Sequence, residues 1–234
     1  MKITLFVLFF IGFIAATALA QYEPKPKSFQ LGPVASVGIS AMTGSIPDGT
    51  TTQIQPAFMF GFLGDLRISG NLETLLTMGY ESRSLYLQPK GYSEPNQTIS
   101  VQCISIQAAL KWKSIALGIS VSEPLSGYQT MNPDQYILTT ESSPDPIAVM
   151  YSAPIKTTNL NTIFDIRASV LLPLFKVSDK TINLFAQASY CLNNIVSDQF
   201  AVVPNPGSDQ IHTFKDSRVS MIQIGLSYFF SALD

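Results

Sequence analysis

Eight ionised residues have one property in common: each lies on the face of its own chain segment that also carries small and neutral polar residues. These residues are Asp65, Arg67, Glu73, Glu81, Arg83, Lys111, Asp165 and Arg167. Wherever apolar and polar residues alternate around them, the charges lie opposite the aromatic and aliphatic side chains. A buried charge must be paired or must change its protonation state. The balance of acids and bases on one face therefore predicts a network of ion pairs.

Motifs for catalysis or metal binding are absent from the sequence, which has no G-x-S-x-G, P-loop, C-x-x-C or H-E-x-x-H. The only histidine is His212, so a Ser/His/Asp set would have to be built on it, with Asp209 and Asp216 close by. A solvated loop histidine explains the same pattern without any chemistry. We therefore expect no catalytic residues, no cofactor and no metal, and an enzyme that uses His212 is the alternative.

The overall charge and the cysteines narrow the class of protein further. The net charge is −2 and charged residues are 13% of the chain, so no basic surface favours nucleic acid, and no nucleic-acid partner is expected. Cys103 and Cys191 fall on predicted strands that are not neighbours. A disulfide needs Cα atoms within about 7 Å, so we expect two buried free thiols.

The clearest element is a predicted β-hairpin within Gln55–Tyr86, with a tight turn at residues 69–71. In its first strand Phe58, Phe60 and Phe62 share one face, and the charged residues take the other. Each strand is roughly 12 residues long, against about 5–6 in soluble proteins and about 9–11 for a tilted strand that crosses a bilayer. The hairpin is therefore typical of a transmembrane β-barrel.

The same alternation recurs along the chain and predicts eight strands. The other six lie at about Leu31–Met42, Thr98–Lys111, Ser114–Ser122, Asn161–Leu172, Thr181–Asn193 and Ser217–Phe230. Long connections alternate with short turns, and the longest connections are Glu123–Asn159 and Ser197–Asp216, whereas Phe175–Lys180 is a short turn. This order predicts an eight-stranded antiparallel up-and-down transmembrane β-barrel with short periplasmic turns and longer extracellular loops. A soluble exported β-sandwich is the alternative, because its strands alternate in a similar way.

The N-terminus indicates export. Residues 1–20 combine Lys2, an apolar run and the small residues Ala18 and Ala20, which is the pattern of a cleaved signal peptide. Residues 21–29 form a short Pro- and Lys-containing lead-in, and residues 30–234 form the barrel domain. We expect the bacterial outer membrane as the location and its lipid as a partner.

Two segments resemble the PorT-like outer-membrane β-barrel family. The hairpin FGFLGDLRISGNLETLLTMGY is similar to the second hairpin of that family, and IQIGLSYFF is similar to its closing strand. The resemblance covers nearly the entire mature chain and implies a small exported eight-stranded barrel. It implies no catalytic residues.

The expected function is that of a small non-enzymatic outer-membrane barrel, structural or interacting with a protein partner through its extracellular loops. The eight inward charges are expected to pair across the lumen and to plug it. A narrow channel is one alternative. Another is a component of an outer-membrane secretion or assembly machine, which only the family name suggests.

Overall fold

The computed structural model describes residues 29–44, 50–69, 71–89, 96–132, 151–177, 180–197, 201–202, 212–213 and 216–230. The predicted signal peptide, the lead-in before Phe29 and the side chain of Asp209 lie outside these residues. Among the described residues, no helix is long and apolar enough to cross a membrane.

Eight long β-strands make up most of the described part of the chain. They are β1 (Phe29–Met42), β2 (Gln55–Ser69), β3 (Leu72–Pro89), β4 (Asn96–Trp112), β5 (Ile115–Asn132), β6 (Ile163–Val177), β7 (Lys180–Cys191) and β8 (Val219–Tyr228). Two short strands extend this sheet: Thr50–Thr52 pairs with the end of β3, and Tyr151–Ile155 pairs with the end of β5. A separate pair, Ala201–Val202 with His212–Thr213, lies between β7 and β8 in the chain.

The eight strands close into a barrel. Each strand pairs antiparallel with the strands before and after it in the chain, and β1 also pairs with β8. The predicted eight-stranded antiparallel up-and-down barrel is therefore confirmed. A β-sandwich is wrong for this chain, because two packed sheets would leave edge strands where this single sheet closes on itself.

The strands are staggered around the barrel. Paired residues lead from Ser82 of β3 through Phe58 and around the ring to Leu72 of β3, ten residues earlier in the same strand. Stagger, strand tilt and width are linked, and eight strands leave an interior just wide enough for side chains to fill. Residues far apart in the sequence therefore meet across the lumen.

The polarity of the barrel is the reverse of that of a soluble protein. Val37, Phe60 and Ile222 point outward with exposed fractions of 67%, 55% and 63%. Arg83 and Arg167 point inward and are completely buried. An apolar outer wall around a polar interior is the arrangement of a transmembrane β-barrel, in which lipid covers the outer face.

Strand β5 is longer than the sequence predicted. The expectation ended it at Ser122 and assigned Glu123–Asn159 to a loop, whereas β5 continues to Asn132 and Tyr151–Ile155 adds a further strand beside it. The ladder with β4 shifts at Gln102/Cys103, and this bulge breaks the alternation that a sequence reading follows. The connection that leaves the sheet is therefore shorter than predicted.

Most other strand boundaries differ by a few residues, and two of these differences move residues from a predicted turn or lead-in into a strand. Strand β6 runs to Val177, so Phe175–Val177 is strand and not part of a turn, and a register shift between Pro173 and Phe175 hides its continuation. Phe29 was assigned to the lead-in but is the first residue of β1 and pairs with Leu66. Both differences lie at the end of the barrel that carries the short turns, which we call the short-turn end.

Two apolar clusters fill separate levels of the lumen. The lower cluster lies toward the short-turn end and consists of Val34, Met59, Leu63, Leu75, Ala109, Ala116, Leu171, Phe185 and Phe229. The upper cluster consists of Met42, Leu85, Leu87, Ile99, Val101, Cys103, Ile155, Leu160, Ile163, Cys191, Ile195, Val196 and Val219. The upper cluster includes residues of the connections, so the chain folds back over this end of the barrel.

The two cysteines are free and buried, as predicted. Cys103 is on β4 and Cys191 is at the end of β7, and these strands are not neighbours in the barrel. Both thiols belong to the upper apolar cluster.

Candidate functional site

Four of the predicted charges form a central ionic layer, which we define as Glu81, Arg83, Asp165 and Arg167. Strand β3 contributes Glu81 and Arg83, and β6 contributes Asp165 and Arg167. In each strand the two charges are separated by two positions, so both point into the lumen. All four side chains have no solvent exposure.

Arg83 binds both carboxylates of the ionic layer. Its Nε donates to Glu81 Oε1 at 3.0 Å, and its Nη1 donates to Asp165 Oδ1 at 2.8 Å. Its Nη2 donates to Glu81 Oε1 and to Asp165 Oδ2, each at 2.5 Å. The planar guanidinium presents several donors in fixed directions, which suits it to holding two carboxylates at once.

Arg167 binds the same two carboxylates from the other strand. Its Nη2 donates to Glu81 Oε2 at 2.9 Å and to Asp165 Oδ2 at 3.0 Å. Two hydroxyls complete the ring, because Ser122 donates to Glu81 Oε1 at 2.9 Å and Ser120 donates to Asp165 Oδ2 at 3.0 Å. The layer thus contains two positive and two negative groups, with each carboxylate bound by both arginines.

A layer of neutral polar residues lies next to the ionic layer. Arg167 Nη1 donates to Gln187 Oε1 at 3.2 Å, and Gln187 Nε2 donates to Gln107 Oε1 at 2.6 Å and to Ser169 Oγ at 3.0 Å. These residues, together with Ser120 and Ser122, were not among the predicted members of the network. Each of them lies on the same face of its strand as the charged residues, so alternation predicts that they point into the lumen. Alternation does not predict which of them contact one another.

The order of inward residues along the strands places the ionic layer between the two apolar clusters. On β3, Leu75 of the lower cluster precedes Glu81 and Arg83, and Leu85 of the upper cluster follows them. On β6, Ile163 of the upper cluster precedes the charges and Leu171 of the lower cluster follows them. The four charges are therefore separated from both ends of the barrel by apolar side chains.

The other four predicted charges form a second group at the short-turn end, which we call the rim cluster: Asp65, Arg67, Glu73 and Lys111. Lys111 Nζ donates to Asp65 Oδ2 and, at 2.5 Å, to Glu73 Oε2. Arg67 Nε lies 3.6 Å from Glu73 Oε1, and its side chain is 57% exposed. Arg67 therefore lies at the barrel mouth and not within the sealed interior.

A cavity of about 280 Å³ opens beside the rim cluster. All four residues of the cluster line it, together with Lys113, Asn183 and Phe229 among others. Oδ1 of Asp65 is buried and has no hydrogen-bond partner among the described residues. The eight predicted charges thus divide into a fully bonded layer in the interior and an incompletely bonded cluster beside a cavity.

The histidine alternative stays a prediction, because the side chain of His212 lies outside the described residues. Asp216 accepts two hydrogen bonds from Arg218, each 2.8 Å long, and these bonds raise the pKa of the Arg218 guanidinium. His212 lies in a two-residue strand and Asp209 lies outside the described residues. Within the described part of the chain, no group of three or more histidine, cysteine or acidic residues could hold a metal ion.

Comparisons with known proteins give distant structural likenesses. No protein-family model and no curated protein matches the chain. Among solved structures, Ail of Yersinia pestis, the attachment invasion locus protein, is 7% identical to this chain with a TM-score of 0.38. The alignment covers 88% of this chain and 100% of Ail. The complex of Ail with the heparin analogue sucrose octasulfate is 8% identical with a TM-score of 0.36 at the same coverage.

The outer membrane protein OprG of Pseudomonas aeruginosa is 10% identical to this chain with a TM-score of 0.38. The alignment covers 89% of this chain and 98% of OprG. At these identities and TM-scores, the likenesses identify neither a family nor a function for this chain.

Proposed function

We propose that this protein is a small, non-enzymatic β-barrel of the bacterial outer membrane with a closed lumen. It acts as a structural protein or as a docking platform through the segments at the end opposite the short turns. The observation that carries the proposal is the completely buried, mutually bonded ionic layer inside a barrel whose outer wall is apolar.

The outer surface supports a membrane location. Large apolar residues are exposed on all eight strands' outward faces, where water would disfavour them and lipid would not. At the short-turn end, Lys113 lies over the ring of Trp112, and Lys180 lies near the rings of Tyr228 and Phe230. Aromatic rings next to lysine ammonium groups suit the boundary between lipid and water.

The order of the lumen layers supports a closed barrel. An ion entering from either end would have to displace an apolar cluster before it reached the ionic layer, and would then meet charges that already have partners. Charges that line a conducting pathway have to exchange their partners with the passing ion. We therefore propose that the ionic layer and the two apolar clusters plug the lumen, with the rim cluster at its mouth, and that the narrow channel is the less favoured function.

Export by a signal peptide is part of the same proposal. Cleavage after Ala20 would leave Gln21 as the first residue and place the lead-in directly before β1. Mass spectrometry of the protein purified from its native membrane tests this. We expect a chain that begins at Gln21, whereas an intact Met1 would contradict export by cleavage.

We also propose membership of the PorT-like family. The support is that FGFLGDLRISGNLETLLTMGY contributes most of the β2–β3 hairpin and that IQIGLSYFF spans the end of β8, which closes the barrel against β1. A role in secretion or assembly would require a stable protein partner. Affinity purification from detergent extracts, with a barrel of similar size as the control, distinguishes that role from a solitary barrel.

The proposal is tested by two measurements on one sample. The purified protein is run on a detergent gel with and without boiling, and a compact unboiled form that migrates faster is expected. The same sample is then reconstituted into planar bilayers for single-channel recording. No conductance above that of protein-free bilayers is expected, whereas stable single-channel steps would overturn the closed lumen. A protein that shows no heat-dependent shift would overturn the membrane barrel itself.

A further inference from the structure

We propose that the cavity beside the rim cluster is a binding site for a small zwitterion of amino-acid size. The ligand's ammonium group binds the buried carboxylate of Asp65, and its carboxylate binds Arg67 and Lys113 at the mouth. This inference goes beyond the proposed function, because a closed barrel needs no ligand.

The charges around the cavity are separated by depth. Lys111 is shared between Asp65 and Glu73, so these three inner groups together carry a net negative charge. Among the described residues, the two other cations that line the cavity are Arg67 and Lys113, and both are exposed, which places them nearer the mouth. A negative interior and a positive mouth complement a ligand that enters with its ammonium group first.

Asp65 supplies the specific recognition group. Its Oδ2 accepts from Lys111, but its Oδ1 has no donor among the described residues. An unpaired buried carboxylate oxygen is unfavourable, and a charged N–H donor satisfies it better than a neutral one. Asp65 also lines the cavity, so the proposal requires its carboxyl group to turn toward the cavity when the ligand binds.

At the mouth, each cation has a weak contact that a ligand can replace: Arg67 with Glu73, and the Lys113 ammonium group with the ring of Trp112, 5.1 Å away. The distance from Arg67 to Glu73 is 3.6 Å, which is too long for a hydrogen bond. Lys113 has a φ of 56°, in the left-handed region where glycine or asparagine is favoured. The two-residue connection between β4 and β5 favours this conformation, and a lysine there, where glycine or asparagine is usual, places a cation beside the cavity.

The size and wall of the cavity limit the ligand. Its volume of about 280 Å³ is slightly below the range of roughly 300–1,000 Å³ for typical small-molecule sites. Leu171, Pro173 and Phe229 form an apolar part of the wall. A ligand such as leucine has both charged groups and an aliphatic group that suits this wall.

The test uses leucine and two analogues that each lack one charged group. The full barrel in detergent micelles is titrated with leucine, 3-methylbutylamine or 4-methylpentanoate, and binding is measured by saturation-transfer NMR of the ligand methyl groups. Empty micelles are the background. We expect saturable leucine binding and at least tenfold weaker binding of both analogues, because each analogue lacks one charge-assisted contact.

Three variants locate the site. Asp65→Asn and Arg67→Gln should each weaken leucine binding about tenfold or more, in line with the loss of one charged contact. Lys113→Gly should weaken binding while relieving the strained turn, so the barrel should remain at least as heat-resistant. Arg218→Gln removes a partly exposed cation elsewhere in the barrel and should leave leucine binding unchanged.

The outcomes that would overturn the proposal are distinct. Equal binding of 4-methylpentanoate and leucine would make the cavity a simple anion site. Loss of binding in Arg218→Gln to the same degree as in Arg67→Gln would indicate general surface charge. Absence of saturation with leucine at tens of millimolar, in a sample with the heat-dependent gel shift, would overturn the site while leaving the proposed barrel function standing.

Discussion

The ionic layer and the rim cluster are made from the same kinds of residue in the same ratio of charges, yet their surroundings differ. In the ionic layer every side chain is fully buried and each carboxylate is bound by both arginines. In the rim cluster Arg67 is largely exposed and Asp65 keeps an oxygen without a partner. The loss of an ion pair should therefore cost more stability in the dry interior than beside water.

The physical reason is desolvation. Removing a charge from water is costly, so in a dry interior the loss of one partner leaves an uncompensated charge that no solvent can reach. At the mouth, water and ions can replace a lost partner and screen the remaining charge. Substitutions of charged residues should therefore lower the free energy of unfolding most in the ionic layer and least at the mouth of the barrel.

The largest effect is expected for Arg83→Ala. The substitution leaves Glu81 and Asp165 with one arginine between them, and breaking a buried network in this way costs about 3–5 kcal/mol. Urea unfolding of the barrel in lipid vesicles measures the free energy of unfolding, and the boiled-versus-unboiled gel gives an independent reading. Unchanged heat resistance would show that the ionic layer does not stabilise the barrel.

A second change should recover part of that loss. Adding Glu81→Gln to Arg83→Ala leaves one carboxylate and one guanidinium, so the charges balance again. We expect the double variant to be more stable than the sum of the single changes predicts, by roughly 0.5–3 kcal/mol, as for residues in one network. Arg83→Ala combined with Asp216→Asn is the matched control, and strict additivity in both pairs would contradict coupling within the layer.

An intermediate effect is expected for Lys111→Met. Its ammonium group is the shared donor for Asp65 and Glu73, and the side chain is only 10% exposed. Because the adjacent cavity admits water, the cost should be about 1–3 kcal/mol, the penalty of an unsatisfied polar group. A loss as large as that of Arg83→Ala, in the same unfolding assay, would mean that the two clusters are equally dry.

The smallest effect is expected for Arg67→Gln. Exposed ion pairs contribute about 0–1 kcal/mol, and its contact with Glu73 is long. The difference from the unmodified protein should vanish in about 1 M salt, where the screening length is roughly 3 Å. A salt-independent loss above 1 kcal/mol would place Arg67 with the buried charges.

Strand alternation was sufficient to predict much of this architecture. Because side chains in a strand point alternately to opposite faces, residues such as Phe60 and Ile222 could be assigned outward, and Arg83 and Asp165 inward. The number of strands and their up-and-down order also follow from the alternating connections. Alternation failed at Leu125 of β5 and at Leu174 of β6, because each is the extra residue of a bulge that shifts the register and reverses the expected faces.

The direction of a side chain is a local property of its strand, so the pattern of residues along the chain is enough to tell which of them enter the lumen. Which of these residues meet depends on how the strands are arranged in the barrel. Arg83 and Asp165 are 82 positions apart and become partners because the stagger accumulated around eight strands brings them to the same level. The same stagger places Asp65 beside Lys111 at the mouth, where water is available, and thereby makes one group of charges a sealed layer and the other the edge of a cavity.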